Sequence, residues 1–148
     1  MNGDLLIQNA SLVLTDGVVD GDLRVVGGSI DTIAEGGGLE AQDNEVVIDA
    51  SGMHLLPGAI DPHVHFRDPG HPEKEDLESG SRAAAAGGVT GFLDMPNNLP
   101  NATNRSNLEE KLSLARKKAV IHHGFFIGAT KDNLSDLQSV EGMEGICG

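Results

Sequence analysis

Short apolar runs separated by turn sequences make up the first 56 residues, and no helical period is visible there. Runs of Leu, Ile and Val break at Asp16-Gly17, at Gly27-Gly28 and at Ser51-Gly52. The Gly27-Gly28 break joins two runs of β character and predicts a hairpin. We therefore predict a small β-sheet unit over residues 1–56.

From residue 57 the pattern changes to alternating β and α segments. It predicts strands near 57–66, 89–95 and 120–127, with helices between them. The first helix is rich in alanine and is predicted to end at Gly87-Gly88. Repeated βα units predict a parallel sheet over 57–148, in either a barrel or a doubly wound arrangement.

For the second helix, the sequence predicts both where the helix begins and which side of it is buried. Ser106, followed three residues later by Glu109, matches a capping box and predicts the start of this helix. Apolar residues recur along it at helical spacing and predict the side that faces the sheet. These residues are Leu108, Leu112, Ala115 and Ala119.

Composition narrows the classes of partner. The 148 residues carry a net charge of −13, which argues against a nucleic-acid surface and against anionic membranes. The apolar runs are shorter than the roughly 20 residues of a membrane span, and no secretory signal is visible. Cys147 is the only cysteine, so an internal disulfide is impossible and a cytoplasmic location is expected.

One stretch, GAIDPHVHFRDPG, places polar residues at alternate positions directly after an apolar run. Asp61, His63, His65 and Arg67 share one face if the strand stays extended. At the end of a parallel strand, two such imidazoles would point at one place, which suits a divalent metal. A pair of ordinary buried histidines is the alternative that spacing leaves open.

These residues also carry a resemblance. The run GAIDPHVHFRDPG…KEDLESGSRAAAAGGVTGFLDMPN resembles the N-terminal part of the dihydroorotases of the amidohydrolase superfamily, most strongly over Leu56 to Asn97. The resemblance implies an α/β fold in which a small β-sandwich segment precedes a metal-dependent (β/α)8 TIM barrel. About three βα units of that barrel fall within this chain, so the barrel is expected to be incomplete here.

The resemblance also implies roles for individual residues. His63 and His65 match the family's first metal ligands, and Asp61 is expected to support them. Arg67 matches the residue that binds the substrate carboxylate, and Asn97 matches a second substrate-binding position. Two alternatives stay open: Arg67 could form a surface ion pair with an acidic residue of the next loop, Glu73 or Glu75, and Asn97 could be a turn residue.

The implied activity is the zinc-dependent, reversible hydrolysis of the cyclic amide of dihydroorotate to N-carbamoyl-L-aspartate in pyrimidine biosynthesis. One or two zinc ions, a small-molecule substrate and a homo-oligomer are expected. The family's remaining ligands and its catalytic aspartate come from later strands. The chain is therefore expected to be an N-terminal piece that contains no catalytic residue and is inactive alone.

Two features of the sequence keep other activities open. MPNNLPNATN lacks the Thr that usually follows Met-Pro-Asn in dihydroorotases, and Asp94 before Met-Pro resembles allantoinases and hydantoinases. Arg67 favours dihydroorotase, because those relatives usually lack it. The alternatives are an allantoinase or hydantoinase-like cyclic amidohydrolase, and a non-catalytic dihydroorotase-like assembly partner.

Overall fold

The computed structural model describes residues 3–148, and the chain divides into two compact units, Met1–Pro57 and Gly58–Gly148. The elements of the first unit are β1 (Leu5–Leu14), β2 (Gly17–Val26), β3 (Ser29–Glu35), β4 (Val46–Asp49) and β5 (His54–Leu55). Those of the second are β6 (Ala59–Val64), α1 (Leu77–Ala86), β7 (Val89–Asp94), α2 (Arg105–Lys118), β8 (His122–Phe125) and α3 (Leu134–Ser139). Within residues 3–148, no helix is long and apolar enough to cross a membrane.

The first unit is one five-stranded sheet in the order β3-β2-β1-β4, with β5 also paired to β1. Strands β1, β2 and β3 are antiparallel, whereas β4 and β5 run parallel to β1. Every strand pairs with β1 or β2, so these residues form a single sheet, and the predicted β-sandwich segment stays a prediction. Its buried core residues are Ala10, Leu12, Leu23 and Ala50.

The predicted hairpin joins β2 and β3, with Val26 opposite Ser29. Gly27 and Gly28 form the two-residue loop, and both have positive φ angles, 57° and 84°. A two-residue loop with positive φ at both central positions suits the twist of the flanking strands, and glycine adopts that conformation without strain. The glycine pair therefore sets the register of this hairpin.

Asp22 is a buried carboxylate inside the first unit. Its two oxygens accept hydrogen bonds from the backbone N–H groups of Asn9 and Leu39, each at 2.9 Å. The bond from Asn9 is the main cause of the lowered pKa of Asp22, because it stabilises the charged form. Asp22 thereby ties the loop after β3 to an irregular position in β1, where Asn9 has a φ of 60°.

The second unit is a parallel sheet in the order β6-β7-β8, which confirms the βα arrangement predicted from the sequence. Helix α1 connects β6 to β7, and α2 connects β7 to β8. After α3 the chain returns to the sheet, where Ile146 forms a parallel bridge with Phe125. The buried core residues are Phe66, Leu77, Phe92, Ala102, Leu108, Leu112, Ala115, Phe125 and Val140.

The helix ends follow local chemistry, with one correction to the prediction. Asp76 caps α1 by accepting a hydrogen bond from the Ser79 N–H, and the helix stops at Gly87 as expected. For α2 the predicted capping box at Ser106 is wrong. Asn104 is the cap, and its side chain accepts from the Asn107 N–H at 2.9 Å. An asparagine two residues upstream caps at least as well as serine, so the helix begins earlier.

Candidate functional site

The residues that leave strand β6 alternate between the two sides of the sheet. His63 and His65 are exposed, whereas Phe66 and Asp68 are buried, and Arg67 lies between at intermediate exposure. The regular strand ends at Val64, yet the alternation continues for four more residues. His63 and His65 therefore share one side, and the burial pattern favours the same side for Arg67.

The two imidazoles face one another. The Nε2 atoms of His63 and His65 are 3.2 Å apart, and the ring centroids are 5.0 Å apart. Two bonds of about 2.0–2.1 Å to a tetrahedral zinc ion would hold their nitrogens about 3.3 Å apart. The spacing and the nitrogen donor type therefore both fit a divalent metal held by these two residues.

Asn97 lies beside this histidine pair, three residues beyond the end of β7. Its Oδ1 atom is 2.8 Å from Nδ1 of His65. An amide oxygen accepts hydrogen bonds, so the contact favours the His65 tautomer that carries its proton on Nδ1 and leaves Nε2 free. Parallel pairing of β6 with β7 brings the two chain segments together. Asn97 thus contacts His65 through its side chain, in addition to its place in the loop after β7.

Asp61 and Arg67 make backbone contacts beside the histidines. Asp61 accepts a hydrogen bond from the backbone N–H of His63 at 3.1 Å, so it supports the main chain rather than an imidazole ring. The backbone N–H of Arg67 donates to the carbonyl of Glu75 at 2.9 Å. Among residues 3–148 the Arg67 guanidinium forms no ion pair, and Glu73 instead meets His71 at 3.2 Å. The alternative of an Arg67 ion pair with Glu73 or Glu75 is therefore absent.

A buried polar network behind the site was not predicted. The Asp94 carboxylate accepts a hydrogen bond from the Phe66 N–H at 3.1 Å, and Asn98 donates to the carbonyls of Phe66 and Asp68 at 3.1 and 3.3 Å. Lys111 of α2 pairs with Asp94 at 2.9 Å. Burial raises the pKa of Asp94 and lowers that of Lys111, and their mutual attraction opposes both shifts.

The sequence held one signal for this network. Lys111 falls within the apolar stripe of α2, three residues after Leu108 and four before Ala115. A lysine at such a position must either extend to solvent or meet a buried acceptor. Asp94, the one acidic residue of the apolar strand VTGFLD, is that acceptor.

Another feature to consider as a ligand site is a cavity, and it lies away from the histidine pair. A cavity of about 650 Å³ is lined by Thr90, His122 and His123, at the N-terminal ends of β7 and β8. Parallel βα folds bind their ligands at the opposite, carboxyl ends of the strands. Across the described residues, no three His, Cys, Asp or Glu side chains are arranged to hold a metal ion.

The chain is similar to known proteins over most of its length. Residues 54–141 match the Amidohydrolase family. An allantoinase of Desulfitobacterium hafniense is 41% identical over 138 residues, covering 93% of this chain and 30% of the relative. A dihydroorotase of Methanosarcina acetivorans is 39% identical over 127 residues, covering 86% of this chain and 27% of the relative.

Among solved structures, the L-hydantoinase (dihydropyrimidinase) of Arthrobacter aurescens superimposes with a TM-score of 0.87 at 27% identity, covering 95% of this chain and 31% of that one. A D-hydantoinase gives 0.80 at 35% identity, covering 97% and 32%. The chain belongs to the amidohydrolase family. It spans about 30% of the length of the curated relatives it matches.

Proposed function

We propose that the whole protein containing this chain hydrolyses the amide bond of a nitrogen-containing ring, with His63 and His65 as two of its metal ligands. The observation that carries this proposal is the 3.2 Å approach of the two Nε2 atoms at the end of a parallel strand. Zinc is the proposed metal; when bound, such an ion polarises a carbonyl group and lowers the pKa of water.

Two histidines are too few for a catalytic zinc site, which uses three protein ligands. The remaining ligands and the group that moves the proton to the ring nitrogen are proposed to come from parts of the whole protein outside the matched 30%. One or two ions, a cytoplasmic location, a homo-oligomeric assembly and the TIM-barrel closure belong to the same proposal. Of these, the TIM-barrel closure is supported by the family and by the likeness to hydantoinases.

Dihydroorotate is the first candidate substrate, in the reversible reaction that yields N-carbamoyl-L-aspartate. Arg67 lies two residues after His65, and its guanidinium forms no ion pair within residues 3–148, so it is available for an anionic ligand. A planar guanidinium binds a carboxylate through two hydrogen bonds, and dihydroorotate carries one. Asn97 would add a neutral contact at the same end of the sheet while it also contacts His65.

Allantoin or a hydantoin is the second candidate substrate, favoured by the similarity to an allantoinase and to two hydantoinases. The allantoinase is 41% identical and the dihydroorotase 39%, a difference too small to separate the two activities. Allantoin carries no carboxylate, so a site for it would give Arg67 no bidentate partner. A non-catalytic assembly role is less favoured, because such a role does not require His63 and His65 to converge.

Ring opening of dihydroorotate, allantoin and hydantoin by the intact protein tests the substrate proposal. Arg67→Met is expected to lower kcat/KM for dihydroorotate by about 100-fold or more, since each charge-assisted hydrogen bond contributes about 1.5–3 kcal/mol. Arg67→Lys should recover little, because an ammonium group cannot form the two parallel bonds. Arg82→Met, which removes an exposed arginine paired with Glu78, is the control and should have no effect.

The substrate assay has clear contrary outcomes. Turnover of allantoin without turnover of dihydroorotate would replace the first candidate with the second. Full dihydroorotate turnover in Arg67→Met would show that the arginine does not bind the carboxylate.

A further inference from the structure

Lys111 is the centre of the buried network behind the histidine pair. Its side chain is 1% exposed, and its ammonium group lies between α2 and the carboxyl end of β7. The Nζ atom donates to the carbonyl of Met95 at 2.9 Å and to the side-chain oxygen of Asn98. It also lies 2.9 Å from Asp94 and 4.7 Å from the ring centroid of Phe125. A charged group is thus enclosed by oxygen atoms and one aromatic face.

The partners of Lys111 form hydrogen bonds with the main chain of the segment that contains His65 and Arg67. Asp94 and Asn98 bind the N–H and the carbonyl of Phe66, the residue between His65 and Arg67. Asn98 also binds the carbonyl of Asp68, which follows Arg67. The main chain on both sides of Arg67 is therefore hydrogen-bonded to groups that contact Lys111.

The same lysine also fixes the segment after β7. It binds the carbonyl of Met95 and the side chain of Asn98, so the two contacts bracket Asn97. Asn97 in turn contacts His65 at 2.8 Å. One ammonium group thus connects the segment that carries both the second histidine and the arginine to the segment that carries Asn97.

Stability alone does not account for such an arrangement. A buried ion pair can often be replaced by apolar residues of similar volume without loss of stability, because desolvation offsets the attraction. One Asp94 oxygen, Oδ2, accepts no well-directed hydrogen bond among the described residues although it lies 2.9 Å from Nζ. The contacts to main-chain carbonyls and to Asn98 instead specify where two loops lie.

We propose that Lys111 is a positioning residue, which sets the placement of His65, Arg67 and Asn97 through Asp94, Asn98 and the Met95 carbonyl without touching metal or substrate. The proposal rests on the proposed metal-dependent function. Removal of a residue that orients metal ligands without binding the metal typically lowers metal affinity or activity by about 10- to 100-fold. The same range is expected here.

The test uses the intact protein and a double variant, Lys111→Met with Asp94→Asn, which removes both charges yet keeps an acceptor for the Phe66 N–H. Leu112→Ala is the matched control, because Leu112 is the next residue on α2 and is buried in the apolar core. Asn98→Asp is a second, isosteric variant. It keeps the acceptor for Lys111 but loses the donors to the Phe66 and Asp68 carbonyls.

Three quantities are measured: the dissociation constant for Zn²⁺ by chelator competition, the visible spectrum of the Co²⁺-loaded protein, and the melting temperature. We expect the double variant and Asn98→Asp to bind Zn²⁺ about 10- to 100-fold more weakly and to show an altered Co²⁺ spectrum. Leu112→Ala should lower the melting temperature and leave both metal readouts unchanged. If the double variant does not fold, Asn98→Asp decides the question.

Unchanged Zn²⁺ affinity and Co²⁺ spectrum in the folded variants would overturn the role of Lys111. An equal loss of Zn²⁺ affinity in Leu112→Ala would also overturn it, since destabilisation alone would then explain the effect. A wild-type protein that binds Zn²⁺ but opens no cyclic amide contradicts the proposed function, while the metal readouts still test Lys111. A wild-type protein that binds no Zn²⁺ contradicts both proposals.

Discussion

The Nδ1 atom of His65 and the Oδ1 atom of Asn97 are 2.8 Å apart and join the ends of two neighbouring parallel strands. Because an amide oxygen accepts a hydrogen bond, this contact keeps the proton of His65 on Nδ1 and holds the imidazole with its Nε2 lone pair toward His63. The sequence resemblance assigned Asn97 to substrate. We propose that the contact adds a second role, in orienting His65 toward the proposed metal.

The first prediction follows from this contact. Asn97→Ala should weaken Zn²⁺ binding by about 10-fold, because the His65 ring loses the acceptor that sets its orientation. Asn97→Asp should retain most of the affinity, since a carboxylate also accepts from Nδ1. Chelator competition on the intact protein measures both, with Asn101→Ala, an exposed asparagine of the same loop, as the control. Equal affinities in Asn97→Ala and wild type would show that the contact does not orient the ring.

The second prediction concerns the ion pair between Lys118 and Asp68, whose Nζ and Oδ2 atoms are 2.6 Å apart. Asp68 is buried, so Lys118→Met leaves a carboxylate without its cationic partner. Because the Lys118 side chain is 33% exposed and solvent screens the pair, we expect a loss of about 1 kcal/mol in the free energy of unfolding. Lys117→Met removes the neighbouring, exposed lysine and should cost nothing measurable. Urea denaturation compares the two variants, and equal stabilities would contradict the assignment.

The third prediction gives the pH dependence of that pair. The hydrogen bond to Asp68 raises the pKa of Lys118 above its usual 10.5. A raised folded-state pKa means that the stabilisation is fully present below the unfolded value and is lost as the pH rises through the folded value. The stability difference between wild type and Lys118→Met should therefore be constant from pH 7 to about 10 and shrink above that. A difference that already shrinks between pH 7 and 9 would contradict this cause.

The fourth prediction concerns Asp22 in the first unit. Asp22→Asn should destabilise the β1–β2 pairing by about 1–3 kcal/mol at pH 7, because an amide cannot accept from both backbone donors at once. Asp20→Asn, at an exposed position that keeps its acceptor for Ser11, is the control. Hydrogen exchange of the β1 and β2 amides in the intact protein measures the effect.

The acid dependence of Asp22 gives a further check on the fourth prediction. Its pKa is lowered below the usual 3.8, so its stabilising contribution is present above that value and is lost as the pH falls through the folded-state pKa. The exchange difference between wild type and Asp22→Asn should narrow below about pH 4. A gap that persists unchanged into stronger acid would show that the carboxylate charge is not the cause.

Local patterns were sufficient to predict most elements of this fold. Gly27-Gly28 predicted the hairpin, because its two-residue loop requires positive φ angles that glycine adopts easily. Gly87 predicted the end of α1, because glycine is common at the C-terminal ends of helices. The start of α2 was predicted wrongly, because Ser106 and Asn104 are both good caps and the choice depends on the tertiary course of the preceding loop. The β-sandwich expectation came from resemblance; the described residues of the first unit form one sheet, and the sandwich stays a prediction.

The arrangement of the candidate site could be predicted only in part, for a similar reason. The parity of His63 and His65 places them on one side of an extended chain, which the sequence reveals directly. Their partners could not be predicted in the same way, because Asn97 and Lys111 come from other elements, which reach the end of β6 only through sheet pairing and helix packing. The one local indication of the buried network in the sequence was Lys111, which falls within the apolar side of α2.

The most direct measurement of the central claim is ring opening by the intact, zinc-loaded protein, followed with dihydroorotate, allantoin and hydantoin. His63→Ala and His65→Ala should each abolish turnover and reduce the bound zinc. His122→Ala, an exposed histidine at the start of β8, should change neither. Turnover of at least one ring by the wild type, lost in both site variants and kept in the control, is the predicted result. No turnover of any ring, or turnover that survives loss of both histidines, would contradict the claim.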